Sequence, residues 1–327
     1  MKKFDFITIG GATEDIVFYT KDGVLLKNKK DLLKQELLAF EQGAKIKVEK
    51  SFNLFGGGAA NVAVNLSNLC FNVASMVNLG DDDRGLKILE NFKKNKVDNS
   101  LLSIDKKIGS GFSFVLNNGK DRIIFTYRGS NDNLTIDNKK TEKLKNTDRI
   151  YLTSLPKNWL KFLNKVFSLD KKVYWNPGLQ EISHGSDRIA KFINKTEILM
   201  LNRDEALELV RKSKGFKKYN NKYLSNIDNL LKLIKGLGPK NLVITDGLEG
   251  AYFFDGSNFY HQKVVREKKH LDTTGVGDAF NSTFSAFFIL FEGDYKKAMN
   301  LAAKNAASVI SSYGAQNGLL NINNLLK

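Results

Sequence analysis

The stretch Asp272–Phe280, DTTGVGDAF, sets two carboxylates at the ends of a turn made of two Thr, two Gly and Val276, with the apolar run Ala279–Leu290 directly behind it. Gly275 and Gly277 let the backbone turn sharply and come close to a ligand. A glycine-rich turn that opens a helix exposes several backbone N–H groups at the positive end of the dipole. That is an anion site, most often for phosphate. A carboxylate at position 278 would repel such an anion if it faced it. The conflict disappears if Asp278 faces an attacking hydroxyl, as its base or orienter, while the N–H groups of Gly275, Val276 and Gly277 face a phosphoryl group. The dipole would also hold Asp278 ionised at neutral pH. An Asp that only caps the helix is the alternative, and the string alone leaves the two in balance.

Three further segments hold suitable residue types. In Phe55–Asn61, FGGGAAN, Gly57 and Gly58 strip the backbone bare ahead of Asn61, whose amide offers both donor and acceptor. Such a stretch admits a ligand or simply permits tight helix–strand packing. Asn61 replaces the third Gly of a dinucleotide fingerprint, and no G-x-x-x-x-G-K-[ST] occurs, which excludes a Walker-type loop. In GGATED, Asp15 follows the first strand, where ligands of parallel sheets gather. A carboxylate there can accept two hydroxyl hydrogen bonds from a sugar diol. A turn-forming Asp is the plainer reading, with Glu14 a competitor. In LNRDEA, Asn202 ends a strand and Glu205 stands in the first helical turn. A capping box explains the pair and is favoured on these residues alone; the other reading places them at a magnesium ion's water shell.

Elements must hold these residues. Phe4–Ile9 reads as a strand, Asp15–Thr20 as strand-like, Leu32–Phe40 as helical, and Ala44–Phe52 as alternating. Gly56 onward opens a helix of small residues. From Arg149 the chain alternates strand and helix, ending in two long helical stretches, Gly277–Phe291 and Tyr295–Ser311, while Ser213–Ser225 reads as a polar loop. This alternation predicts an α/β fold with a mostly parallel sheet covered on both faces. Two groups of exposed-looking strands, Asp15–Phe52 and Gly111–Arg128, are expected to pair into a small antiparallel sheet standing off it.

The 327 residues fit one large domain with a small appendage. A single cysteine, Cys70, rules out a disulfide within the chain and fits a reducing cytoplasm; in its apolar setting it reads as a small buried hydrophobe. The start, MKKFDFITIGG, reads as a strand rather than a signal peptide. Lys and Arg number 51 against 35 Asp and Glu, a formal +16. The lysines are dispersed and lack interleaved aromatics, so neither nucleic acid nor membrane is the expected partner. The scattered histidines, His184, His261 and His270, have no metal-ligand spacing.

In order and spacing the segments resemble the ribokinase-like (PfkB) family of carbohydrate and nucleoside kinases, over nearly the whole chain. GGGAANVAVNLSNL is similar to its N-terminal signature and DTTGVGDAFNSTFSA to its highly specific C-terminal one; WNPG, LNRDEA, VITDGLEGA and AAKNAASVISSYGAQ fall at its matching segments. The resemblance implies a three-layer sandwich of one domain, 1–327, with a β-sheet lid from about 15–54 and 110–128. It implies an ATP-dependent kinase acting on a primary hydroxyl of a sugar, with a nucleoside kinase as the alternative and a catalytically silent binding regulator as the rival class. By resemblance Asp278 is the base, Gly275, Val276 and Gly277 the anion hole, and Asp15, Gly57, Gly58 and Asn61 the sugar contacts. Asn202 and Glu205 organise magnesium and phosphate, Thr245 and Gly247 contact the nucleotide, and Asn305 lies beside the adenine. Asp272 and the Thr274 carbonyl match a monovalent cation site, K+ in the family. An exposed lid sheet would have an edge and a face to cover, and a homodimer through the lid would do that. Two departures stand out: Val276 replaces the usual Ala, and Gly58 stands where ribokinases carry Lys.

Overall fold

Neighbouring residues of the central strands send their side chains into opposite cores. In Thr196–Asn202, Ile198 and Met200 enter one hydrophobic cluster and Leu199 and Leu201 the other. In Asn241–Thr245, Val243 goes one way and Leu242 and Ile244 the other. Strands apolar on both faces must be covered on both, and the result is three layers. The computed structural model describes residues 3–27, 36–119, 122–267 and 269–327. Its large sheet runs Phe259–Gln262, Ala251–Phe254, Asn241–Thr245, Thr196–Asn202, Lys172–Trp175, Arg149–Leu152, Phe6–Ile9, Val73–Met76 in space. The last six are parallel and the first two are added antiparallel. Helices Gly58–Asn68, Val276–Leu290 and Tyr295–Ile310 pack on one face; Trp159–Phe167, Arg203–Lys212 and Ile227–Lys235 pack on the other. The chain thus forms the α/β sandwich that its alternating elements predict. Among the described residues no helix is long and apolar enough to cross a membrane.

A separate four-stranded sheet runs Arg122–Tyr127, Phe112–Asn117, Thr13–Tyr19, Lys50–Gly56. Its two middle strands are parallel, so it is mixed rather than antiparallel throughout. Its register aligns Asp15 with Leu54 and Ser113, and Ser113 with Thr126. Asp15, Ser113 and Thr126 therefore share a row and a face.

Three local expectations are corrected. Within Leu32–Phe40, Glu36–Ala39 is a strand paired antiparallel with Val24–Lys27, not a helix; residues 32–35 lie outside the described residues. Short apolar runs fit either period, and here cross-strand pairs such as Leu26 with Leu37 decide it. The alternation in Ala44–Phe52 overlaps a strand that begins only at Lys50, and the polar loop from Ser213 contains a short helix, Asn221–Leu224. Cys70 is exposed rather than buried. Helix Gly58–Asn68 closes with Phe71 N donating to Leu66 O (3.0 Å) and Cys70 N to Ser67 O (3.0 Å), a wrap that puts Cys70 at φ 68.

Candidate active site

Helix Val276–Leu290 begins at Gly275, whose backbone is left-handed (φ 72), and no side chain caps it. A Cβ at Gly275 would lie 2.2 Å from Ala315 Cβ, so only glycine fits. The first intrahelical bond to close on this turn is Ala279 N to Gly275 O (2.9 Å). The N–H groups of Val276, Gly277 and Asp278 precede it and are the open donors of the first turn. A Cβ at Gly277 would meet nothing within 4 Å, so the space beside these donors is clear.

Asp278 is not the cap. Its Oδ2 accepts from Asn61 Nδ2 at 2.8 Å, across from helix Gly58–Asn68. Burial pushes the Asp278 carboxyl up to about 6; the Asn61 bond works against this and the charge of Asp15 adds to it. The dipole argument is therefore corrected in direction, because desolvation outweighs the helix terminus. At pH 7 about nine-tenths of the group is still ionised.

A cavity of about 250 Å³ opens between the small sheet and the large one. Gly11, Gly57, Gly58, Ser154 and Thr274 form its floor, and Thr13, Asp15, Ser113 and Thr126 its roof. Asp15 accepts from Thr13 Oγ1 (3.0 Å) and from Ser113, and burial raises its carboxyl above the usual range. Glu14 no longer competes for this role. It points to the other face, where Arg84 (3.2 Å) and Lys87 (3.1 Å) of helix Asp83–Lys94 hold it. Gly58 lines the cavity with no room for a side chain unless Thr153 moves, since a Cβ would lie 2.9 Å from Thr153 Cβ.

Asn202 and Glu205 form a complete capping box: Glu205 N donates to Asn202 Oδ1 and Asn202 N to Glu205 Oε2, both at 2.8 Å. Burial pushes the Glu205 carboxyl up to about 7; the bond from Asn202 opposes this, and the nearby charge of Asp278 adds to it. Thr245 is the register partner of Asn202, and Gly247 follows two residues later with open space beside it. Asn202→Ala is expected to lose the cap and about 1 kcal/mol of stability. Urea unfolding checks this: the midpoint should fall at constant slope, and an unmoved midpoint would deny the cap any weight.

Two expected contacts are placed differently. Asn305 is fully buried among helices, donating to Asn65 Oδ1 (3.0 Å) and Thr283 Oγ1 (2.7 Å) and accepting from Leu320 N (2.8 Å). With its amide so engaged, it pins helices together and offers no side chain to a nucleotide. Asp272 Oδ1 accepts from Thr274 N (2.9 Å) and Oγ1 (2.7 Å), and its Oδ2 accepts from Gly314 N (2.9 Å). Asp272 thus ties the turn that opens helix Val276–Leu290 to Gly314.

The cavity also has walls that no motif marked. Arg128 lines it and donates to Asp132 Oδ1 (2.6 Å), Ser154 Oγ (2.9 Å) and Leu155 O (2.7 Å). Asn131 lines it with both amide atoms bonded to the Ala12 backbone (3.1 and 3.0 Å). Behind them Glu181 is fully buried and accepts from Leu155 N (2.9 Å); burial pushes its carboxyl up to about 7. In sequence GSNDN is only a turn signal.

Residues 31–322 match the family model described as pfkB family carbohydrate kinase. The ribokinase of Dictyostelium discoideum is 26% identical over 275 residues, covering 80% of this chain and 85% of that one. Among solved structures, Arabidopsis thaliana ribokinase complexed with ribose and ATP has a TM-score of 0.77 at 18% identity, over 99% of this chain and 98% of that one. Burkholderia thailandensis nucleoside kinase in complex with inosine has a TM-score of 0.79 at 16% identity, over 98% and 96%. At such identities the two structures share the fold with this chain.

Proposed function

Because the chain belongs to the pfkB family of carbohydrate kinases, we propose that it transfers the γ-phosphoryl group of ATP to a primary hydroxyl of a sugar, with Asp278 as the base. The observation that carries this is the placement of Asp278. It lies at the start of a helix whose first amides are open, bonded to Asn61 and within electrostatic reach of Asp15 and Glu205. The acceptor's oxygen bonds to phosphorus, the bond to the ADP leaving group breaks, and the hydroxyl proton passes to Asp278. The N–H groups of Val276 and Gly277 stabilise the charge on the transferring group. Asp15, with Ser113 and Thr126 in its row, holds a diol of the acceptor.

A buried carboxyl raised as far as that of Glu205 is relieved by a cation. With Asn202 it would organise magnesium, which supplies charge neutralisation to the phosphates. The small sheet acts as a lid that keeps water from competing with the acceptor. A nucleoside acceptor is the second reading, favoured by the apolar Val115 and Ile124 in the cavity wall. Release of ADP is to be measured with ATP, magnesium and a panel of pentoses, hexoses and nucleosides. No acceptor-dependent release with any of them would overturn the proposal; the best acceptor class separates its two forms.

The outer face of the lid is aromatic. Phe114, Phe125 and Tyr127 are exposed there, on and beside strand Arg122–Tyr127, which among the described residues is an edge of the sheet. We assign this face to a second copy of the chain, which would cover both edge and aromatics. Phe125→Asp is expected to shift a dimer to monomer in sedimentation velocity, and an unchanged coefficient would count against that face.

A further inference from the structure

Four side-chain amides run head to tail into Asp278. Asn95 Nδ2 donates to Asn91 Oδ1 (3.0 Å), Asn91 Nδ2 to Gln316 Oε1 (2.7 Å), Gln316 Nε2 to Asn61 Oδ1 (3.0 Å), and Asn61 Nδ2 to Asp278 Oδ2 (2.8 Å). Amide oxygen and nitrogen are distinguished by their partners, and here the chemistry fixes each one. An ionised carboxylate only accepts. Asn61 must therefore turn its nitrogen to Asp278 and its oxygen to Gln316. Gln316 must then give its nitrogen to Asn61 and its oxygen to Asn91, and so on to Asn95.

Asn61 is buried, so the reversed amide would set an oxygen against the carboxylate with little water to relieve it. A protonated Asp278 can donate as well as accept, and Gln316, whose oxygen accepts from Asn91, is then the side chain that tells the two orientations apart. The chain of amides starts at Asn95, the C-cap of helix Asp83–Lys94, whose Arg84 and Lys87 also hold Glu14 beside Asp15. One helix thus braces the strand carrying the sugar-side carboxylate and the donor on the base.

We propose that Gln316 is a positioning residue for phosphoryl transfer: it sets the Asn61 amide with its nitrogen toward Asp278 and so fixes the donor on the reacting carboxylate. Its catalytic consequence rests on Asp278 being the base; the geometry does not. The other groups facing Asp278 are Asp15 of the small sheet, Glu205 of helix Arg203–Lys212 and the Tyr151 phenol of strand Arg149–Leu152. A change at position 316 leaves all three in place.

The test is a carbon-13 titration of the Asp carboxyls in the full, ligand-free chain, with the Asp278 signal identified by its loss in Asp278→Asn. In the wild type this signal should titrate near pH 6. Gln316→Met removes the lock without adding charge and should move the midpoint upward. Gln316→Glu can only accept, so it competes with Asp278 for the Asn61 nitrogen and should move it further, by about one unit, a tenfold loss of ionised carboxylate well below the midpoint. Asn317→Asp adds charge one residue away on an exposed side chain and should leave it unmoved. The acid limb of kcat/KM should follow each shift. A midpoint unmoved in Gln316→Met overturns the proposal, as does an Asn317→Asp shift equal to that of Gln316→Glu. A titration that shifts while the kinetic limb stays put supports the relay and overturns Asp278 as the base.

Discussion

An Asp278→Asn enzyme is expected to turn over about a hundredfold or more slowly than the wild type, in line with the loss of a general base, while folding as well or better. The substitution keeps the shape of the side chain and an oxygen for Asn61 to donate to. What it removes is the carboxylate oxygen proposed to take the proton from the acceptor. Stability should run the other way. Because the Asp278 carboxyl is raised from 3.8 to about 6 by burial, the native chain holds its proton more tightly than the unfolded chain does. Wild-type stability from this group is therefore present below pH 3.8 and is lost as pH rises through 6. Above pH 6 the wild type carries an ionised, poorly solvated carboxylate that the Asn variant lacks. Thermal melts at pH 8 and turnover measured side by side separate a chemical loss from a structural one. Turnover near the wild-type level in a folded Asp278→Asn protein would remove Asp278 from the mechanism.

The sandwich was legible because its strands are short apolar runs alternating with helices, and that pattern is local. The glycine turn that opens helix Val276–Leu290 was legible for a similar reason: Gly275, Gly277 and Asp278 state their backbone needs within a few residues. What the same strings left open depended on distant partners. Whether Asp278 caps its helix or faces a ligand turned on Asn61, which meets it from helix Gly58–Asn68. Gln316 reaches Asn61 across 255 positions of sequence, and no spacing rule predicts such a contact. Asn305 stands where the resemblance puts a nucleotide contact, yet Asn65 and Thr283 claim its amide. Arg128 and Asn131 became cavity walls through a turn that carries no motif. Of the two readings of LNRDEA, the local one, a capping box, is the one its own residues complete. Burial raises the same Glu205 carboxyl, with the charge of Asp278 adding to it.

Gly275 and Gly277 stand two residues apart, and substituting them should give opposite results. Gly277→Val places its Cβ where no heavy atom lies within 4 Å, so the native fold meets no clash at that atom. The helix start tolerates the residue, and stability should change by less than about 1 kcal/mol. That open space is the one beside the amides of Val276 and Gly277. If the phosphoryl group sits there, two added methyls exclude it, and the transferring charge loses its donors. Loss of such stabilisation costs about 10²–10³ in turnover, while acceptor binding to the free enzyme, read by calorimetry, should be unchanged because Asp15 and Ser113 lie on the other wall. Gly275→Ala does the reverse to the fold. Its backbone is left-handed, and its new Cβ would lie 2.2 Å from Ala315 Cβ and 2.7 Å from Ala315 Cα, neither of which can rotate away. It should lower stability by about 1–3 kcal/mol through strain alone. A Gly277→Val enzyme with wild-type turnover would mean that the anion does not bind at this helix start. An equal loss of stability in the two variants would mean that the clear space beside Gly277 is filled by the protein itself in solution.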